Sequence, residues 1–96
     1  MIRYFSLDPA TLEVVPREGY RGRTVPEIQD LLFDEVGDVR VSTIFLGFAL
    51  QAGGVPLVFE TMVFGGARDR EQVHHGTYAE AKAFHDRMVD EVRGKP

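Results

Sequence analysis

A carboxylate inside an apolar segment is the first feature of this chain that could do chemistry. Glu60 stands between Phe59 and Thr61 in the run LVFETMVF, residues 57–64. Burying a carboxyl group favours its protonated form, which suits a general acid or base. The alternative is that Glu60 lies at the rim of a strand and pairs with Arg40 or another basic side chain. We name Glu60 as a catalytic candidate and favour the second interpretation.

The C-terminal segment, residues 78–93, predicts a helix that begins at a capping box of Thr77 and Glu80. His85 lies at the centre of its apolar face and is the second catalytic candidate. A histidine there could carry a proton or bind a ligand that faces the sheet. It could equally be a core residue, bonded to a backbone carbonyl or to Glu60. The structural interpretation is the commoner one for a single histidine on an apolar face.

His74 and His75 are adjacent, in a segment that predicts a short edge strand, residues 73–75. Neighbouring side chains of a strand point to opposite faces, so the two imidazoles cannot bind one metal ion. A zinc site would need Glu60 and His85 to join one of them, and nothing in the spacing requires this. We therefore expect no metal and no cofactor.

Arg17, Arg21 and Arg23 form one of two basic clusters in the chain, and the last two are ligand-binding candidates. The formal net charge is −4, with 11 Lys and Arg against 15 Asp and Glu. Proteins that bind DNA or RNA neutralise phosphates with clustered basic residues, so we expect no nucleic acid partner. The arginine loop could still meet the phosphate of a small nucleotide.

Two strands must position Glu60 and its neighbours. Residues 39–50, VRVSTIFLGFAL, and residues 57–64 are rich in β-branched and aromatic side chains and flank a turn that contains two glycines. A sheet covered on one side alternates apolar and polar residues, whereas both of these strands are apolar on both faces. They predict a central hairpin in which neither face is marked by polar residues as the one exposed to solvent.

A first helix is predicted over residues 25–36. Thr24 and Glu27 have the spacing of a capping box, and apolar residues follow at helical intervals. Gly37 can end the helix in a left-handed conformation.

An N-terminal hairpin, residues 2–7 and 12–15, is predicted around the turn former Asp8-Pro9. The element order is therefore ββαβββα. We predict a single α+β domain over residues 1–96, with an antiparallel sheet of four or five strands and two helices.

The composition bounds the class of protein. The chain has 96 residues, of which 44% are hydrophobic, and no cysteine. It has enough apolar residues for one core, but it can form neither a disulfide framework nor a thiolate metal site. A small domain without disulfides is typical of a reducing compartment, and no apolar run is long enough for a signal peptide or a membrane span. We expect a cytoplasmic protein with no membrane partner.

The two-sided apolar strands also predict an interface. Two short helices cover both faces of a sheet only thinly, and an exposed apolar patch of this size usually marks an interaction site. We predict a homodimer formed through the open face of the sheet, with Phe48, Thr61, Met62 and Phe64 as partner-binding candidates. The alternative is a monomer with one helix on each face.

Three stretches carry a family resemblance: VSTIFLG at residues 41–47, LVFETMVFGG at 57–66, and TYAEA at 77–81 with His85 after it. They are similar to a family of small uncharacterised proteins that is common in bacteriophages, prophages and actinobacterial genomes. The resemblance covers residues 39–92, and the run before the glycine pair is its most specific part.

The resemblance implies a phage or prophage context, and hence the cytoplasm of a host cell. It carries over Glu60, Thr61 and His85 as candidate positions. The family usually has a histidine or aspartate soon after its first strand, where this chain has FAL at residues 48–50. That departure weakens the hypothesis of a polar catalytic or metal-binding cluster at these residues. Residues 1–37, the hairpin and the first helix, lie outside the resemblance.

Two functions follow from these residues. The first is a small phage-type accessory protein that binds a protein partner or a small ligand through the sheet face or a dimer groove. A host protein or a small nucleotide would be its partner. The alternative is a small hydrolase or metal-dependent enzyme built on Glu60 and His85, with His74 or His75. The lack of a catalytic signature favours the binding protein.

Overall fold

The computed structural model describes residues 2–17, 25–51 and 53–94. Within them the chain forms seven strands followed by one helix. Their bounds are β1 Arg3–Leu7, β2 Val14–Pro16, β3 Gln29–Val36, β4 Val39–Phe45, β5 Phe48–Ala49, β6 Phe59–Phe64, β7 Gln72–His75 and α1 Tyr78–Val92.

The strands form two antiparallel sheets. One has three strands in the order β2-β1-β5, and the other has four in the order β3-β4-β6-β7. The α+β class and the antiparallel pairing are confirmed. The predicted order ββαβββα is wrong, because the described residues contain one helix rather than two and the strands are divided between two sheets.

The segment predicted as the first helix, residues 25–36, is a strand in its second part. Gln29–Val36 forms β3 and pairs with β4 along its length, with one bulge. Residues 37–38 make the two-residue turn of this hairpin, and Gly37 has a φ of +60°, which glycine adopts without steric cost. The pairing of β3 with β4 therefore outweighs the preference for a helix that the spacing of the apolar residues indicates. Thr24, the predicted cap, lies outside the described residues.

The strand predicted over residues 39–50 is interrupted at Gly47. β4 ends at Phe45, and β5 belongs to the other sheet, where it pairs with β1. Gly47 has a φ of +75°, and a Cβ there would lie 2.6 Å from the backbone nitrogen of Glu27. Glycine is therefore required where the chain crosses from one sheet to the other.

The N-terminal hairpin, the edge strand and the last helix are confirmed. Asp8 Oδ1 accepts hydrogen bonds from the backbone N–H groups of Ala10 and Thr11, at 2.8 and 3.1 Å, in the turn between β1 and β2. α1 begins after the predicted N-cap Thr77, whose Oγ1 accepts a hydrogen bond from the N–H of Glu80 at 3.2 Å. β7 is an edge strand of the four-stranded sheet.

α1 packs on one face of the four-stranded sheet, and we call this the closed face. It carries Val41, Thr43, Phe45, Phe59, Thr61 and Val63, all of which are buried. Phe5 and Leu7 of the three-stranded sheet extend the same core beyond one end of β4.

The other side of the four-stranded sheet is the open face, since no helix packs on it within the described residues. The cross-strand register places its side chains in three rows. Written from β3 towards β7, the rows are Asp30-Ile44-Glu60-His74, Phe33-Ser42-Met62-Gln72 and Glu35-Arg40-Phe64.

Candidate functional site

Glu60 lies in the first row of the open face, with its side chain 12% exposed. Its Oε2 accepts a hydrogen bond from Gln72 Nε2 at 2.5 Å and lies 3.0 Å from His74 Nε2. The side chain that pairs with Glu60 is therefore His74. Arg40 instead places its guanidinium over the ring of Phe64, 5.9 Å from the ring centroid.

Four large apolar side chains occupy the middle of the open face and one of its ends. Phe33 is 56% exposed and Phe64 is 36% exposed, while Ile44 and Met62 are half-buried. Polar and charged residues surround them on three sides: Asp30, Glu35, Arg40, Glu60, Gln72 and His74. An apolar centre with a polar rim is the usual anatomy of a protein–protein interface.

A shallow cavity of about 130 Å³ is part of this face. It is lined by Ser42, Ile44, Glu60, Met62 and Phe64. Pockets for drug-sized ligands usually enclose about 300–1,000 Å³. The cavity therefore suits one or two side chains of a protein partner better than a free small molecule.

His85 is fully buried on the closed face, within a chain of hydrogen bonds. Its Nε2 lies 2.8 Å from Asp34 Oδ2, and its Nδ1 lies 2.8 Å from Thr43 Oγ1. The Thr43 hydroxyl in turn lies 2.6 Å from the Thr61 hydroxyl. We call these four residues the buried network. It joins α1 to β3, β4 and β6.

The chemistry of the four side chains determines which group donates and which accepts in each hydrogen bond of the buried network. An ionised Asp34 can only accept, so Nε2 of His85 carries a proton and donates it. In a neutral imidazole Nδ1 then accepts from the Thr43 hydroxyl, which accepts from the Thr61 hydroxyl. Every donor has a partner in this arrangement. A doubly protonated ring would reverse the chain and leave the Thr61 hydroxyl without an acceptor in it.

The buried network is built to hold the helix rather than to meet a substrate. Thr43 and Thr61 are 0% and 1% exposed, so neither hydroxyl can reach a reacting group from solvent. The carboxylate of Asp34 is the one part with access to water, at 44% side-chain exposure. Fully satisfied polar chains inside a core specify which side chains meet, and this one sets the position of α1 on the sheet.

The structure does not bring Glu60 and His85 together. Glu60 is on the open face, and His85 is buried under the closed face, with the sheet between them. Thr61, predicted to bind a partner, belongs to the buried network and points away from the open face. The predicted contact between Glu60 and His85 is replaced by two separate pairs, Glu60 with His74 and His85 with Asp34.

Two of the predicted partner-binding residues, Met62 and Phe64, do share the open face. Phe48 lies in β5 of the other sheet, where it is half-buried opposite Tyr4. Arg21 and Arg23 lie outside the described residues. Arg17, next to them in the basic cluster, is held by the backbone oxygen of Val25, to which its Nη1 donates at 2.9 Å.

His74 and His75 point to opposite faces, as expected for neighbours in a strand. His75 packs against the ring of Phe84 on the closed side, with centroids 5.2 Å apart. Burial lowers the pKa of His75; nearby Arg87 and His74 add to this effect, and Glu80 opposes it. No group of three His, Cys, Asp or Glu residues in the described part of the chain is arranged to hold a metal ion.

Asp34 and Thr43 are the residues of the buried network that the sequence analysis did not single out. The sequence predicts a helix at Asp34, whereas the residue lies in β3. The signal that could have found it is Gly37-Asp38, because a Gly-Asp pair between two apolar runs favours a two-residue hairpin. That hairpin turns Asp34 to the same side as Val41 and Thr43, under α1.

A larger groove, of about 490 Å³, lies between the turn of the first hairpin and the start of α1. Its walls include Leu12, Glu13, Thr77 and Tyr78. Glu13 is the one charged side chain among its lining residues, so the groove holds no acid–base pair. Neither Glu60 nor His85 is among its lining residues.

Comparison with family models, with curated proteins and with solved structures finds no match to this chain. No helix in residues 2–17, 25–51 and 53–94 is long and apolar enough to cross a membrane.

Proposed function

We propose that this protein is a small accessory protein without catalytic activity, which acts by binding a protein partner through the open face. The observation that carries the proposal is the set of four large apolar side chains, Phe33, Ile44, Met62 and Phe64, on a sheet face that α1 does not cover. The proposal includes the phage-type resemblance of residues 39–92, which implies the cytoplasm of a host cell as the place of action.

The energetics favour a covered open face. Burying a large apolar side chain fully is worth about 1.5–3 kcal/mol. Phe33 and Phe64 keep much of their surface in water, and Ile44 and Met62 keep part of theirs. The surface that the four still expose equals little more than one whole side chain, so a partner that covers it would gain about 2–4 kcal/mol on this side of the interface, which offsets part of the entropy lost on association.

The placement of Glu60 and His85 supports binding over catalysis. An enzyme built on these two residues needs both within reach of one accessible cavity. They lie on opposite faces, and both already have hydrogen-bonding partners. Glu60 with His74 is better suited to forming a polar contact at the rim of an interface.

A protein partner is also favoured over a small nucleotide. The cavity on the open face has about 130 Å³, which is too small for a nucleotide. Of the arginine cluster that could meet a phosphate, the structure describes Arg17, which lies at the other sheet and near Glu27, with Nε 3.6 Å from the carboxylate.

Site-specific photocrosslinking tests the proposal. Benzoylphenylalanine is placed at Ser42, in the middle of the open face, or at Ala83, on the exposed side of α1. We expect irradiation of cells that carry the gene to give a discrete protein adduct from Ser42 and none from Ala83. Adding Met62→Asp should remove the adduct. Equal labelling from both positions, or no protein adduct from Ser42, would refute the open face as an interface.

A further inference from the structure

We infer that the three-stranded sheet carries a binding site for a small organic carboxylate, formed at Arg3. The inference does not rest on the proposed function, since the open face belongs to the four-stranded sheet. It is carried by a guanidinium whose buried nitrogen atoms have no acceptor, beside a groove with mainly apolar walls.

Of the arginines that the structure describes, Arg3 is the one with buried nitrogen atoms that lack a partner. Its Nε and Nη2 are shielded from solvent and have no hydrogen-bond partner among the described residues. Its side chain lies on the same face of β1 as Phe5, with Cζ 5.7 Å from the centroid of that ring. A guanidinium cannot escape the cost of burial by losing its proton, so an unpaired one favours an anionic partner.

The two unpartnered atoms are the pair that binds a carboxylate elsewhere in this protein. Nε and Nη2 form one edge of the guanidinium, and their parallel N–H bonds match the two oxygens of a carboxylate. Arg68 uses this edge, because its Nε donates to Oε2 of Glu91 and its Nη2 donates to Oε1 at 2.9 Å. No carboxylate of the described residues binds the same edge of Arg3. That edge is therefore available to a ligand.

A groove of about 330 Å³ lies beside Arg3 on the three-stranded sheet. It is lined by Ile2, Arg3, Tyr4, Phe5, Pro16 and Arg17. The volume is within the range of small-molecule sites, and most of the lining side chains are apolar or aromatic. Since no hydrogen bond of the described residues holds Nε or Nη2 of Arg3, rotation about the torsions of this side chain turns them into the groove without breaking one. The groove suits a carboxylate on an apolar or aromatic body.

The charges around the groove favour a ligand with a single negative charge. Arg17, the other basic lining residue, has its Nε 3.6 Å from the carboxylate of Glu27, and its Nη1 donates to the backbone oxygen of Val25 at 2.9 Å. Its positive charge is therefore already shared with Glu27, which would repel a phosphate dianion. A carboxylate needs one guanidinium edge and one positive charge, and Arg3 supplies both.

An NMR titration with phenylacetate, a carboxylate on an aromatic body, tests the site. We expect the Arg3 Nε–H resonance to shift in a saturable way, with a Kd on the order of millimolar for a ligand of about ten heavy atoms. The neutral isostere phenylacetamide should bind at least about tenfold more weakly, because it cannot form charge-assisted hydrogen bonds with Arg3. Equal binding of the two compounds would overturn the carboxylate site.

Two substitutions of Arg3 separate the guanidinium edge from its charge, with the backbone N–H signals of Tyr4 and Phe5 as reporters. Arg3→Gln removes the edge and the charge and should abolish saturable binding of phenylacetate. Arg3→Lys keeps the charge without a planar pair of donors and should weaken binding about tenfold. The control Arg70→Gln removes the same charge from an arginine whose side chain is 87% exposed, and it should bind phenylacetate as the unmodified protein does.

Undiminished binding by Arg3→Gln would overturn the inference, because it would show that Arg3 does not hold the ligand. If Arg3→Gln does not fold, Arg3→Lys decides the matter, since undiminished binding by that variant excludes the guanidinium edge.

Inorganic phosphate, added at matched ionic strength, tests the class of anion. We expect it to leave the Arg3 Nε–H signal unchanged at concentrations at which phenylacetate saturates the site. Saturation by phosphate at a lower concentration than by phenylacetate would overturn the carboxylate as ligand. A signal that neither anion shifts would overturn the site itself and would mean that water alone meets Arg3.

Discussion

The two faces of the four-stranded sheet use neighbouring residues of the same strands in different ways. On the closed face, the polar groups of Thr43 and His85 are buried and satisfy each other under α1. On the open face, Glu60 and His74 pair at one end, and the large apolar side chains keep part of their surface in water. The apolar strand face on which α1 packs is therefore core, whereas no helix of the described residues covers the other face.

Among the variants that compare the two faces, replacing His85 with alanine should cause the largest loss of stability. The change leaves a cavity in the closed face and removes the partner of both Asp34 and the Thr43 hydroxyl. We expect a loss of about 3–5 kcal/mol in the free energy of unfolding, measured with urea. The matched variant His74→Ala removes an exposed imidazole from the open face and should cost less than about 1 kcal/mol. Equal losses would mean that the two faces do not differ as described.

Gly47→Ala should follow in size, because it blocks the crossing between the two sheets. The left-handed φ strains an alanine, and its Cβ would meet the backbone of Glu27 at 2.6 Å. We expect a loss of about 2–4 kcal/mol in the urea-derived stability. Gly37→Ala is the control, since Gly37 also has a positive φ but open space around it. Its cost should be about 1 kcal/mol. A Gly37 effect as large as that of Gly47 would point to backbone strain alone.

The neighbours Thr43 and Ser42 compare the two faces within a single strand. Thr43→Val keeps the shape of the side chain but leaves His85 Nδ1 without its donor, so we expect a loss of about 1–3 kcal/mol. Ser42→Val adds apolar surface to the open face and should change the stability by about 0.5 kcal/mol or less. Thermal unfolding of the two variants, measured under the same condition, compares their losses of stability. A larger loss from Ser42→Val would show that the open face is covered within the monomer.

The pH dependence of stability should show the smallest effect, through His75. Its pKa is lowered in the folded state from 6.5, mainly by burial, so the unfolded chain binds this proton more readily. The contribution of His75 is therefore present above pH 6.5 and is lost as the pH falls through its lowered folded-state value. We expect the stability of His75→Gln to fall less steeply below pH 6.5 than that of the unmodified protein. An unchanged slope would mean that His75 is as hydrated in the folded protein as in the unfolded chain.

The acidic turn at Asp8 does not interfere with that measurement. Hydrogen bonds from the backbone N–H groups of Ala10 and Thr11 lower the pKa of Asp8 from 3.8. Its stabilising effect is lost only as the pH falls below that value, in a window more acidic than that of His75.

Local chemistry made part of the fold predictable. The Asp8-Pro9 turn and the Thr77 cap act through bonds between residues two or three positions apart, so their effect does not depend on the rest of the fold. Gly37 was ambiguous, because a left-handed glycine ends a helix or makes a hairpin turn equally well. The choice between them depended on β4, which offers β3 a partner along its length.

The candidate site was predictable only in part for the same reason. Alternation along a strand requires Glu60 and Thr61 to point to opposite faces, whatever the fold. It does not say which of the two faces receives the helix. Once α1 covers the side of Thr61, His85 meets Asp34 and the two threonines, and Glu60 is left to pair with His74.

The sequence by itself determined the strand-rich character of the chain, the capped C-terminal helix and the apolar character of both faces of residues 39–50 and 57–64. Those properties depend on residue type and on neighbours close in the chain. Only the tertiary structure decided that residues 29–36 form a strand, that Gly47 moves the chain between two sheets, and that Glu60 and His85 are separated. These outcomes depend on pairing and packing between residues distant in the chain, and such contacts become favourable only when the whole sheet and its helix form together.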